Sequence, residues 1–149
     1  MKNNKCVFCS IVKGIDKDNI LTKQSDIIFK NRTLTAFISA ESWTNNKGHL
    51  ILIPNKHINN IYQITDDLLI KLFRKTKELS IIIKKAYKCD GVTIKQHNEP
   101  AGGQTIPHFH VHIIPRYFND NMNKTKYELV RQNEREKYAK RLRRYLNKN

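Results

Sequence analysis

The chain has 149 residues, a formal net charge of +15 and 39% hydrophobic residues, enough for one compact core and too few for two domains of ordinary size. No uninterrupted apolar stretch is long enough to cross a bilayer, and Met1–Lys5 lacks the apolar run of a secretory signal, so a cytoplasmic protein with no membrane association is expected. The charge favours anionic partners such as nucleotides or nucleic acid. It fits equally a Lys- and Asn-rich composition with solvated lysines, because no dense basic run tracks a nucleic-acid motif.

In chain order, Cys6 to Lys13 predicts a short helix closed by Gly14. Ile27–Phe29 and Leu34–Ile38 read as strands joined by a turn over 30–33, and residues 42–48 read as a polar loop. His49–Ile53 is apolar on both faces, the mark of a central strand, and Pro54 closes it. Thr65-Asp66-Asp67 starts the longest helix, with Leu68, Leu69, Leu72, Phe73, Leu79, Ile82, Ile83 and Ala86 at helical spacing. Gly91 precedes a strand over 92–96, and the loop Asn98–Gly103 leads to a strand running through His108 to Pro115. From Asn119 onward the composition turns basic, with ten Lys and Arg against four Asp and Glu, while Tyr138, Leu142, Tyr145 and Leu146 form a narrow apolar stripe. Those residues predict a C-terminal helix docked by its stripe with a basic face in water. The organisation expected is a domain over 1–118 and a basic helical extension over 119–149 packed on it.

His108-Phe-His-Val-His112 alternates imidazole with bulky apolar side chains, which on a strand sets all three histidines on one face. Neighbouring imidazoles suppress one another's protonation, so packing alone does not explain three together. The loop before them carries Gly102 and Gly103, whose backbone can approach an anion closely, followed by the side-chain donors Gln104 and Thr105. Together these features point to phosphate chemistry. Cys89 reads as a small buried hydrophobe, and an odd count of three cysteines without an export signal argues against a disulfide framework.

The alternating histidines, Ala101–Thr105 before them and Pro115-Arg116 after them, with Gly48–His57 and Cys6–Ile11 in the same order, resemble the histidine triad (HIT) superfamily of nucleotidyl hydrolases and transferases, in its bacterial branch with an N-terminal CxxC. The resemblance implies an α+β fold, an antiparallel sheet of about five strands with a long central helix and a C-terminal helix. It implies cleavage of nucleoside 5′-phosphate derivatives at the α-phosphorus, through a covalent nucleotidyl intermediate on His110. His112 and Thr105 would assist at the phosphates. His97, Gly103, Gln104, Thr105, His112 and Ser39 would contact the nucleotide, purine being expected. His97 stands where many relatives carry Asn or Gln, and Ser39 where many carry an acidic or amide residue. A homodimer is expected on resemblance alone.

Cys6 and Cys9 share a helical face, and two thiolates supply half of a tetrahedral zinc site or, in the plainer reading, two buried thiols. His49 and His108 are the candidates for the remaining zinc ligands, a combination the resemblance also implies. His57 reads as a feature of the strand exit with no catalytic role. Two other functions stand beside hydrolysis: removal of a 5′-adenylate from DNA or RNA ends with the basic helix gripping phosphates, and non-catalytic nucleotide sensing. The first is weakened because no Cys or His follows His112 to build a C-terminal zinc finger.

Overall fold

The computed structural model describes residues 6–15 and 17–147, so the Met1–Lys5 start read above lies outside them. Five antiparallel strands form the main sheet in the order β1-β2-β4-β6-β5, with β1 Ile27–Lys30, β2 Leu34–Ile38, β4 Leu50–Pro54, β5 Gly91–Gln96 and β6 Val111–Arg116. Two further short strands, β3 (Glu41–Trp43) and β7 (Tyr127–Leu129), pair with each other outside that sheet. The helices are α1 (Val7–Val12), α2 (Asp66–Tyr87) and α3 (Gln132–Leu146). The α+β architecture with its five-stranded antiparallel sheet and long helix is therefore the one the sequence predicts. No helix among the described residues is long and apolar enough to cross a membrane.

The central strand is apolar on both faces because both faces are covered. Leu50 and Leu52 join Ala36, Ile38, Val111 and Ile113 in a core beneath α2 and α3. Ile51 and Ile53 point the other way, into a smaller core with Phe8, Ile11 and Phe37 under α1. Alternation along β6 then fixes the site. With Val111 and Ile113 committed to the helix side, His112 must face the α1 side.

Entry to β4 depends on Gly48, which sits at φ +85° with the Tyr87 ring 2.8 Å from where a Cβ would stand. Any side chain there would displace the ring that ends α2. Cys89 is buried, as expected, and Phe73 is not. Phe73 is 44% exposed on α2, beside Ile70 at 52%, because α2 needs only one stripe for the sheet and α3.

The residues after β6 are drawn back onto the body by charge. Asp120 is buried and accepts from the Arg116 guanidinium at 2.6 and 3.0 Å, from Asn46 and from two backbone N–H groups. Those donors hold its carboxyl well below the usual range, the Arg116 bonds first among them. This knot aims the chain so that β7 meets β3, a pairing hidden in what reads as a polar loop over 42–48. In α3, Arg135 and Arg143 turn inward rather than to water. Arg135 bonds Asp26 at 3.1 Å and the Leu21 carbonyl, and Arg143 donates to the Ser25 and Ile27 carbonyls.

Candidate active site and metal centre

Regular pairing in β6 begins at Val111, so of the three histidines only His112 lies within the strand. His108 and His110 belong to the extended segment entering it. Alternation carries through that segment all the same: Phe109 joins Val111 and Ile113 in the helix-side core, and the three rings lie on the other face, each with its own surroundings.

His110 is buried, and its Nδ1 lies 2.6 Å from the His108 carbonyl. A carbonyl only accepts, so Nδ1 carries the proton and Nε2 keeps its lone pair. Burial lowers its pKa, and the His97 charge adds to this against the raising effect of that bond. The ring is therefore neutral at pH 7. It lines a cavity of about 240 Å³ whose apolar walls come from Val7, Phe8 and Ile11 of α1, with Phe37 and Ile51 from the sheet. Phe8 meets the His110 ring edge-on at 5.3 Å.

His112 Nδ1 sits 2.8 Å from His49 Nε2, and His49 Nδ1 sits 3.3 Å from the Glu41 carbonyl. The same reasoning runs outward along the chain: His49 donates through Nδ1, so His112 donates through Nδ1 to His49 Nε2. Burial brings His49 down to about 4, and burial with the neighbouring His49 and His110 brings His112 to about 2. His97 donates from Nδ1 to the Gly102 carbonyl at 2.8 Å and meets the His112 ring edge-on at 5.9 Å. Gly103 takes φ +85° beneath it, where a Cβ would stand 3.1 Å from His97 Nδ1. Ser39 and Thr105 both line the cavity. Gln104 does not. Its side chain accepts from the Glu99 N–H at 2.7 Å and donates to the Asn59 carbonyl at 2.6 Å, bonds that shape the loop.

The third histidine faces sulfur. His108 Nδ1 lies 3.4 Å from Cys6 Sγ and 3.7 Å from Cys9 Sγ, and His57 Nδ1 lies 3.3 Å from Cys9 Sγ. The four ligand atoms fall within 4.8 Å of one another. Tetrahedral zinc with bonds of about 2.3 Å to sulfur and about 2.0 Å to nitrogen has S···N edges of about 3.5 Å. The orienting bonds agree as well. His108 Nε2 is 2.9 Å from the Pro54 carbonyl and His57 Nε2 is 2.8 Å from Asn59 Oδ1, so each ring gives its N–H to oxygen and turns a bare Nδ1 toward the thiols. Burial and the adjacent Cys6 push the Cys9 thiol up to about 11, a penalty that a bound cation would reverse. The donor set fits a metal ion.

The fourth ligand expected at His49 is corrected to His57. Strand β6 pairs antiparallel with β4, Ile51 opposite His112 and Leu52 opposite Val111. Continuing that register sets His49 beside Ile114, at the far end of the strand from His108, and sets His108 at the β4 exit near Pro54. His57 follows that exit by three residues. Its sequence signal was this position, which becomes informative only once the register is known. Trp43 and Tyr127 carry no such signal. They reach the site through the β3–β7 pairing, with rings 4.7 Å apart and Trp43 5.8 Å from His49.

Fold and site together define a protein built around buried histidines on an antiparallel sheet, set between a cavity and a Cys2His2 donor set. The chain belongs to the histidine triad family: the HIT domain is matched over residues 21–119. It is 32% identical over 115 residues to an uncharacterized HIT-like protein of Saccharolobus solfataricus, covering 77% of this chain and 76% of that one. It is 28% identical over 92 residues to a bis(5′-nucleosyl)-tetraphosphatase (asymmetrical) of Schizosaccharomyces pombe, covering 62% of this chain and 50% of that one. Among solved structures, a zinc-bound histidine triad family protein of Mycobacterium smegmatis superposes with a TM-score of 0.79 at 22% identity, over 97% of this chain and 94% of that one, a likeness of fold.

Proposed function

We propose that the protein hydrolyses nucleoside 5′-phosphate derivatives at the α-phosphorus through a covalent nucleotidyl intermediate on His110. The observation that carries this reading is the His110 ring itself, neutral through burial, its Nδ1–H spent on the His108 carbonyl, its Nε2 lone pair free at a cavity wall. That lone pair would form the N–P bond while the bond from phosphorus to the leaving group breaks, its electrons departing with the leaving group. A water oxygen then bonds the phosphorus, the N–P electrons return to Nε2, and the water proton passes to solvent.

The apolar walls suit a purine base, with Ser39 near the ribose and His112, Thr105 and His97 toward the phosphates. The tetraphosphatase named above supports an anhydride substrate. The metal centre is read as structural zinc held by Cys6, Cys9, His57 and His108, as the Mycobacterium smegmatis relative is zinc-bound. When bound, zinc would keep the two thiols ionised and cross-link them to the histidine segment. A two-fold homodimer is the assembly the family resemblance implies.

The test is turnover of adenosine phosphoramidate, a diadenosine polyphosphate and 5′-adenylylated DNA by the wild type, His110→Ala and His110→Gly. Wild-type turnover should fall by about a thousandfold or more in both variants, and intact-mass measurement at alkaline pH should find a nucleotidyl adduct only with His110 present. Equal turnover by the variants removes His110 as nucleophile. Exclusive use of the adenylylated DNA would move the function to nucleic-acid end processing, and binding without turnover of any of the three would make the protein a sensor.

A further inference from the structure

Lys95 is left unused by the chemistry above. On β5 it is the direct cross-strand partner of His112, and residues opposite each other on neighbouring strands share a face. It therefore projects on the side of the sheet that carries the imidazoles. Its ammonium stands over the Trp43 ring, 5.2 Å from the centre, and Trp43 packs on His49. Among the described residues no carboxylate forms an ion pair with it, although it is only half-exposed. Beyond their burial, its charge also disfavours protonation of His49 and His112. The wall of the nucleoside cavity reaches His112 and does not include Lys95, so the ammonium stands outside that cavity while its strand position is directly opposite His112. A cation steadied on an aromatic face, with no counter-charge and neutral imidazoles beside it, is a binding group for an anion.

We infer that Lys95 is a specificity-determining residue that binds the phosphates of an anionic leaving group, selecting nucleoside polyphosphates over nucleotides whose leaving group is an amine. The inference rests on the proposed attack by His110. As the P–O bond to a polyphosphate breaks, its electron pair adds negative charge to the departing oxygen, which a fixed ammonium stabilises. A departing amine takes a proton instead and gains nothing from a nearby cation.

The experiment compares kcat/KM for a diadenosine polyphosphate and for adenosine phosphoramidate in wild type, Lys95→Met and Lys95→Arg. Lys95→Met should lose about tenfold or more on the polyphosphate, with little change on the phosphoramidate, and Lys95→Arg should retain most of the wild-type preference. Equal losses on both substrates, or none on either, overturn the assignment. A calorimetric titration in the His110→Ala background separates this from the nucleophile reading. Adenosine tetraphosphate should bind more tightly than adenosine monophosphate, and Lys95→Met should abolish the difference. A difference that survives Lys95→Met, or is absent before it, overturns the Lys95 inference whether or not turnover is seen. Absence of turnover with the binding difference intact counts against the His110 reading alone.

Discussion

A neutral imidazole is what His110 requires to attack phosphorus and what His108 requires to turn a bare nitrogen toward a metal. Burial provides it and makes the fold acid-sensitive. His49 is fully buried and its pKa is lowered to about 4, against about 6.5 for an ordinary histidine. The unfolded chain thus binds a proton that the folded chain refuses between those values. Stability is complete above about pH 6.5, declines as the pH falls toward 4, and levels off once His49 protonates in the folded state too, at up to about 1.4 kcal/mol per pH unit for this group. Melting temperatures measured from pH 7 to 4 should fall steeply in that window and less steeply in His49→Gln. Parallel curves would remove His49 as a source of the effect. This residue also marks where sequence reading stopped. The spacing of Cys6, Cys9 and His108 was legible because ligand types and motif order are local properties. The choice between His49 and His57 was not, because it depends on which end of β4 lies beside His108, a fact of register between strands far apart in sequence.

At the scale of elements, α1 has two tasks. Its Cys9, with Cys6 at its cap, reaches the metal donor set, while Val7, Phe8 and Ile11 form a wall of the cavity. A helix of six residues has little stability of its own, so that wall depends on its apolar contacts and, under the zinc reading, on a metal cross-link through the thiols. Protein purified without added metal should contain near-stoichiometric zinc by elemental analysis. Chelation or Cys9→Ser should weaken adenosine monophosphate binding by about tenfold, read by calorimetric titration. Unchanged affinity in metal-free protein would uncouple α1 from the cavity. The anchoring of α3 can be tested separately. Arg135→Ala strands the buried Asp26 carboxylate, whose pKa burial already raises against the bonds from Lys23 and Arg135. A cost of about 3 kcal/mol or more is expected, lowering the melting temperature by roughly 10 °C. A shift of only a degree or two would show the pair to be dispensable. Helices α1 and α2 and the central strand were legible because their periodicity or double-sided apolarity extends over several residues. Strands β3 and β7 have three residues each, too short for alternation to register, and tertiary bonds to Asp120 bring them together.

At the scale of the molecule, the net charge of +15 is distributed unevenly in purpose. Arg135 and Arg143 are spent on internal bonds, as is Arg116 before them, so the basic composition after residue 119 is partly a structural device rather than a polyanion grip. Part of what the single chain leaves uncovered is apolar. Strand β5 is an outer strand of the main sheet, with Ile94 47% exposed, and α2, which packs over β5 as well as β4 and β6, exposes Ile70, Phe73 and Ile81. An open strand edge with an exposed apolar side chain invites pairing with another edge, and a two-fold operation joining β5 to its copy would continue the sheet across both subunits. Phe73, found exposed on α2, would be covered in such an assembly if the helix stripe shared the interface. Sedimentation velocity at micromolar concentration should find a dimer. Ile94→Glu should shift it toward monomer, because two like charges would face each other across the axis, and Phe73→Glu should do so if the helix stripe shares the interface. A wild-type monomer would exclude the assembly. A dimer indifferent to Ile94→Glu would move its interface away from β5.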